Sequence, residues 1–166
     1  MKINTPFKNI AVIGAGTMGS GIAGQIANSD QEVLLLDICP KELNENEVKQ
    51  NLNLDSKKVK NRIVNDMFQK CIKSRPSPIY NKKFLDRIKL GNFEDDIDKI
   101  NEVDWIIEVV VEKLDIKKSV FDLVEKHRKT GTIITSNTSG IPIKLMNEGR
   151  SDDFKECFAI THFFNP

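Results

Sequence analysis

The sequence runs to 166 residues, enough for one domain with a single substantial core. Its 39% hydrophobic and 30% charged residues describe a soluble globular chain, and a net charge of +1 offers no general attraction to nucleic acid or to an anionic membrane surface. No apolar run approaches the roughly 20 residues that span a bilayer. The opening MKINTPFKNIAVIGAG passes from a short polar lead into a strand, without the apolar stretch and small-residue cleavage site of a secretory signal. Cys39, Cys71 and Cys157 are scattered, odd in number and free of any CxxC pairing, so they read as reduced packing residues of a cytoplasmic protein with no metal.

In chain order, Asn9–Ile13 is a short apolar run ended by glycine, the pattern of a strand buried on both faces. Residues 16–28 read as a helix and Glu32–Asp37 as a second buried strand, which together make a βαβ unit. Between about 39 and 85 the pattern changes. Val59, Ile63, Met67 and Cys71 recur every four residues, widened by Val64, Phe68 and Ile72, which predicts an amphipathic helix over 56–74 ended by Pro76 and Pro78. This excursion exceeds a usual connection and is expected to be a helical hairpin standing off the sheet.

Alternation then resumes with a strand at Ile88–Leu90 and a strong one at Trp105–Val111. A helix capped by Asp115 follows, carrying Ile116, Val120, Leu123 and Val124 and stopped by Gly131. Thr132–Thr135 reads as a strand, Ser136–Gly140 as a turn, 141–147 as a short helix and Phe158–His162 as a last strand. The expected fold is α/β, a Rossmann-type doubly wound and mostly parallel sheet forming one domain over 1–166.

Gly14-Ala15-Gly16-Thr17-Met18-Gly19 is G-x-G-x-x-G, a weak signal alone. Here it follows a predicted strand, opens a predicted helix, and is followed by an acid, Asp37, at the end of the next strand. Gly14 permits the tight turn, Gly16 lets the backbone approach a pyrophosphate, and Gly19 lets helix and strand pack closely. The helix start adds free N–H groups and partial positive charge. Asp37 stands where a carboxylate accepts hydrogen bonds from adenosine ribose hydroxyls, and it repels the extra phosphate of NADP. NAD is therefore the expected cofactor.

Ligands of such sheets sit beyond the carboxyl ends of the strands. Glu108 and Glu112 fall within and just after the strand at 105–111, and Lys117 and Lys118 begin the next helix. A cation there opposes the helix dipole, and such local rule-breaking tends to mark function. Lys117 reads either as a partner of Glu112 and of ribose or phosphate oxygens, or as part of an exposed lysine face. Ser136, Asn137, Thr138 and Ser139 read either as hydrogen-bond partners of a nicotinamide or substrate oxygen, or as a plain helix-capping turn. Of the two histidines, His127 reads as a solvated residue near a helix end. His162 ends an apolar strand, either as a core residue or as a group at a strand end suited to take a proton as hydride leaves.

Together AVIGAGTMGSGIA (11–23), VLLLDI (33–38), DWIIEVVVEKLDIKK (104–118), TSNTSG (135–140), GRSDDF (149–154) and THFFNP (161–166) resemble the 3-hydroxyacyl-CoA dehydrogenase family, especially the long bacterial multidomain type of fatty-acid β-oxidation. The resemblance covers nearly the whole chain. It implies that His162 is the catalytic base, that Ser139 hydrogen-bonds the substrate's 3-oxygen, that Glu112 and Lys117 belong to the NAD site, and that Asn137 lies beside the nicotinamide. The reaction it implies is oxidation of an (S)-3-hydroxyacyl-CoA to a 3-ketoacyl-CoA. The helical excursion matches the region where relatives hold CoA, with Lys57, Lys58, Lys60 and Arg62 as candidate phosphate partners.

In relatives the chain continues into a helical domain that supplies a glutamate orienting the histidine, an asparagine near the substrate and most of a dimer interface. This chain is accordingly expected to be a truncated piece that binds NAD with little or no turnover. Two other readings stand beside this one: a related β-hydroxyacid or sugar-nucleotide dehydrogenase, and a non-catalytic NAD-sensing domain. The latter would keep Gly14, Gly16, Gly19 and Asp37 but have no use for Ser139 or His162.

Overall fold

Short β-branched and leucine-rich runs become strands of one sheet, and the longer amphipathic runs become the helices that cover it. The computed structural model describes residues 7–164. The polar lead of residues 1–6, and Asn165 and Pro166 of the last motif, lie outside the described residues. In order the elements are β1 (Asn9–Ile13), α1 (Thr17–Ala27), β2 (Glu32–Asp37), α2 (Glu45–Lys49), α3 (Lys57–Lys60), α4 (Arg62–Ile72) and β3 (Ile88–Asn92). Then come β4 (Trp105–Glu108), α5 (Leu114–His127), β5 (Ile133–Asn137), α6 (Ile143–Asn147), α7 (Asp152–Cys157) and β6 (Phe158–Thr161). Two 3₁₀ turns, Lys82–Arg87 and Ile97–Glu102, lead into β3 and β4.

All five strand pairings are parallel, in the order β3-β2-β1-β4-β5-β6. The expected doubly wound sheet is therefore present, and its order reverses between β1 and β4. Ligands of such sheets bind at that switch, beyond the carboxyl ends. Because side chains alternate, one core holds Ala11, Ile13, Leu34, Leu36, Ile106 and Ile134 against Val120, Phe121 and Val124 of α5. The other holds Ile10, Val12, Val33, Leu35 and Ile107 against Ile22, Ala23 and Ala27 of α1. Among the described residues no helix is long and apolar enough to cross a membrane.

The excursion differs from its expectation. It lies against α1, burying Val64 and Phe68 in the same core as Ile22 and Ala23. An apolar stripe of that width needs a covered partner face, and α1 supplies it. The predicted single helix breaks at Asn61 into α3 and α4, where the buried Asn61 side chain accepts a hydrogen bond from Asn92 Nδ2 at 2.6 Å. Further on, Asn28 Nδ2 donates to the Pro78 carbonyl at 2.9 Å and Arg87 to that of Ala27 at 2.6 Å, fastening the return of the chain to the end of α1.

Several boundaries also move. The fourth strand stops at Glu108, short of Val111, because the Glu108 carboxylate takes the Val110 N–H at 2.7 Å and turns the chain out of the sheet. The fifth strand runs on through Ser136 and Asn137, since β6 continues beside it to Thr161. The third strand continues through Gly91 to Asn92. Lys113, not Asp115, stands before the first turn of α5. Helix α7 was not anticipated; Ser151 caps it by accepting the Phe154 N–H at 3.2 Å.

Candidate active site

The glycine loop occupies the switch point. Gly14 adopts φ +102°, and a Cβ there would lie 2.7 Å from the Val109 carbonyl oxygen. At Gly19 a Cβ would stand 1.8 Å from the Gly14 oxygen, so loop and helix touch backbone to backbone. Gly16 is different: a Cβ built on it meets nothing within 4 Å. It points into open space at the start of α1, where no side chain caps the helix and the first N–H groups lack helical acceptors. That cradle fits a dinucleotide's pyrophosphate. Asp37 already braces the loop, its carboxylate accepting the Ala15 N–H at 2.6 Å and the Ile38 N–H at 2.7 Å. A carboxylate has about four acceptor positions, so capacity for hydroxyls remains.

At the ends of β4 and β5 a polar cluster lies under the cleft. Glu108 and Lys117 are both fully buried, with the ammonium 2.8 and 3.0 Å from the two carboxylate oxygens. The Ser136 hydroxyl also donates to Glu108. Lys117 reaches Glu112 at 3.6 Å. The Glu112 carboxylate, partly exposed, accepts the Thr138 hydroxyl, the Ser139 N–H at 3.2 Å and the Gly140 N–H at 3.0 Å. Burial pushes the Glu112 carboxyl up. The Thr138 hydroxyl, the Gly140 amide, the Lys117 charge and the Ser139 amide outweigh it and hold the group below the ordinary glutamate range.

Above this cluster, Ser139 Oγ lies 2.8 Å from His162 Nε2, with both residues exposed. The imidazole is flanked edge-on by the Phe164 ring at 4.8 Å. Asn137 Oδ1 accepts the Phe163 N–H at 2.8 Å and so fixes the chain just past the histidine. A cleft of about 720 Å³ is lined by Gly16, Thr17 and Met18 on one side and by Glu112, Asn137, Ser139, His162 and Phe163 on the other.

Of the residues singled out in the sequence, the cleft brings the glycine loop, Glu112, Asn137, Ser139 and His162 together. Asp37 stands at the end of β2 behind Ala15. Lys117 is neither an exposed lysine nor a cleft-lining one; it is enclosed beneath Glu112. The helix-capping reading of the Ser136–Gly140 segment does not hold, since Pro142 stands before α6 and no side chain caps that helix. Ser136 donates to the buried Glu108 and Thr138 to the partly exposed Glu112, and Ser139 faces the cleft. Sequence reasoning gave Glu108 no task. The available signal was an acid in the middle of the apolar run Trp-Ile-Ile-Glu-Val, nine positions before a lysine.

Residues 9–166 match the family model described as 3-hydroxyacyl-CoA dehydrogenase, NAD binding domain. A probable 3-hydroxyacyl-CoA dehydrogenase of Bacillus subtilis is 52% identical over 159 residues, covering 96% of this chain and 20% of that protein. A putative fatty acid oxidation complex trifunctional enzyme of Rickettsia felis is 40% identical, over 96% of this chain and 20% of its own length. Among solved structures, the 3-hydroxybutyryl-CoA dehydrogenase of Escherichia coli is 27% identical with a TM-score of 0.65, covering 98% of this chain and 30% of that one. The (S)-3-hydroxybutyryl-CoA dehydrogenase of Ralstonia eutropha is 26% identical with a TM-score of 0.64, over 96% and 50%. The chain thus spans between a fifth and a half of the proteins it is compared with here. With the glycine cradle, the acid after β2 and a match over nearly its whole length, the chain belongs to the family of NAD-binding domains of 3-hydroxyacyl-CoA dehydrogenases.

Proposed function

We propose that the protein carrying this chain oxidises (S)-3-hydroxyacyl-CoA thioesters to 3-ketoacyl-CoA in fatty-acid β-oxidation, with this chain holding NAD and the proton-transfer pair. The observation that carries the reading is the 2.8 Å contact between Ser139 Oγ and His162 Nε2 in the same cleft as the open face of Gly16. NAD would rest its pyrophosphate on the amides at the start of α1 and its adenosine ribose on Asp37, with Asn137 beside the nicotinamide and Glu112, backed by Lys117, at the rim. When bound, it supplies the hydride acceptor.

His162 takes the proton of the substrate's 3-hydroxyl, and Ser139 hydrogen-bonds the same oxygen. A hydroxyl and an imidazole nitrogen already in mutual contact can both reach one oxygen. An imidazole at a strand end suits such a proton transfer. The cytoplasm, where three unpaired cysteines stay reduced, is the compartment assigned to it. Dimerisation of the intact enzyme belongs to the same proposal and rests on the family resemblance.

The test is NAD⁺ titration by calorimetry, followed by NADH formation from (S)-3-hydroxybutyryl-CoA and from free 3-hydroxybutyrate with the protein that carries this chain. Saturable NAD⁺ binding and turnover of the thioester alone are expected. Equal turnover of the free acid would overturn the thioester assignment, and absence of NAD⁺ binding by folded protein would overturn the whole reading.

A further inference from the structure

Under the cleft, Glu108 is the acidic end of the strand Trp-Ile-Ile-Glu and has no exposed surface. Its carboxylate collects the Lys117 ammonium at 2.8 Å, the Val110 N–H at 2.7 Å and the Ser136 hydroxyl. A buried ammonium needs a counter-charge, and Glu108 supplies it to Lys117. From Lys117 the contacts run outward: to Glu112 at 3.6 Å, from Glu112 to the Ser139 and Gly140 amides at 3.2 and 3.0 Å, and from Ser139 to His162 at 2.8 Å.

We propose that Glu108 is a positioning residue for the Ser139–His162 pair, acting through Lys117 and Glu112; this rests on the reading of that pair as the reacting groups. The physical basis is competition for one cation. Glu108 occupies the ammonium with both carboxylate oxygens, which leaves Lys117 only a longer contact with Glu112. Glu112 can then keep Oε1 on the Thr138 hydroxyl and the Ser139 and Gly140 amides, with Oε2 towards the ammonium. With the Glu108 charge removed, Glu112 is the one acid left in contact with Lys117 among the described residues. The ammonium draws that carboxylate inward, off the Ser139 and Gly140 amides, and the serine hydroxyl loses its fixed place against the imidazole.

The chain itself is suited to the test by nuclear magnetic resonance. Amide hydrogen exchange at Ser139 and Gly140 and the ring nitrogen signals of His162 are compared in the wild type, Glu108→Gln and Ser139→Ala. His127, paired with Asp98 at the far end of α5, is the internal reference. Glu108→Gln should speed exchange at those two amides about tenfold relative to core amides, the scale of one lost hydrogen bond. It should also move the His162 signals towards those of Ser139→Ala. A merely structural role would change all protected amides together and leave the His162 ring alone. Where the glutamine variant does not fold, Glu108→Asp keeps the charge but retracts it, and should move the same signals less far. Wild-type behaviour at Ser139, Gly140 and His162 in either folded variant overturns the proposal. NAD⁺ titration of the wild type stands apart: its failure would remove the function while leaving the coupling readings intact.

Discussion

Alanine at Gly16 and at Gly19 should separate cofactor binding from folding, although the two positions are three residues apart in one loop. A methyl at Gly19 would begin 1.8 Å from the Gly14 oxygen, whereas real Cβ atoms essentially never approach closer than 3.0 Å. The helix start or the loop must therefore shift by at least 1.2 Å, the gap between those distances. Both are backbone packed on β1 and β4, so relief is poor. The cost belongs at the upper end of the overpacking range, about 3 kcal/mol, which in a domain of this size lowers Tm by roughly 6–12 °C. At Gly16 the backbone is at φ −56°, ψ −176°, open to any L-residue, and the methyl meets nothing within 4 Å. Gly16→Ala should leave stability within about 0.5 kcal/mol of wild type. It should weaken NAD⁺ binding at least about tenfold, or roughly 1.4 kcal/mol, because the new atom stands where the pyrophosphate approaches. Thermal unfolding by circular dichroism and calorimetric NAD⁺ titration read the two effects. Unchanged NAD⁺ affinity in Gly16→Ala, or an unshifted Tm in Gly19→Ala, would refute this account of the loop.

His162→Gln should abolish NADH formation from (S)-3-hydroxybutyryl-CoA by the protein carrying this chain while sparing NAD⁺ affinity; unchanged turnover would favour an NAD-sensing role. Asp37→Asn leaves one carbonyl oxygen for two amides and removes their charge assistance, a loss of about 1.5–3 kcal/mol. It should therefore lower Tm as well as narrow the preference for NAD over NADP, and a change in preference alone would show that the bonds to Ala15 and Ile38 do not brace the loop. Glu112 makes a pH-dependent contribution. Its folded-state pKa is depressed, so its stabilisation is fully present above the unfolded value of about 4.3 and is lost as pH falls through the lower folded value. The Tm gap between wild type and Glu112→Gln should be constant near neutrality and close in acid; a gap that persists there contradicts the assignment.

The sheet and the cradle were legible because both rest on local signals. Val-Leu-Leu-Leu must bury both faces, and G-x-G-x-x-G between a strand and a helix has few other uses. Residues whose role depends on what folds above them were less legible. Asp-Ile-Lys-Lys leaves Lys117 open between a partner of Glu112 and an exposed lysine, and only the carboxylate arriving from β4 lets it be buried. The sequence points Asp37 only at a ribose, and the geometry adds its support of Ala15, a contact across 22 residues. The length of β5 was hidden as well. Ser136 and Asn137 look like turn residues until β6 pairs beside them. The excursion is helical as its periodicity predicts, but a stripe on α4 does not announce that α1 offers the matching face.

The Glu108–Lys117 pair makes a final argument about what such burial is for. Moving both charges out of water is expensive, and replacing a buried ion pair with apolar residues of similar size is often neutral or stabilising by about 1–4 kcal/mol. If the pair served stability alone, it would be a poor choice in the middle of an apolar sheet. Glu108→Leu combined with Lys117→Met should then unfold at or above the wild-type temperature, with Ile106 and Ile134 still protected from exchange. With the competing ammonium gone as well, Glu112 should keep its hold on the Ser139 and Gly140 amides, which Glu108→Gln alone should lose. Removing the lysine would thus restore the turn that the single variant loosens, which packing alone does not produce. A double variant whose Tm falls by many degrees would show the pair to be a structural fastener, and the case for placement would lose its ground.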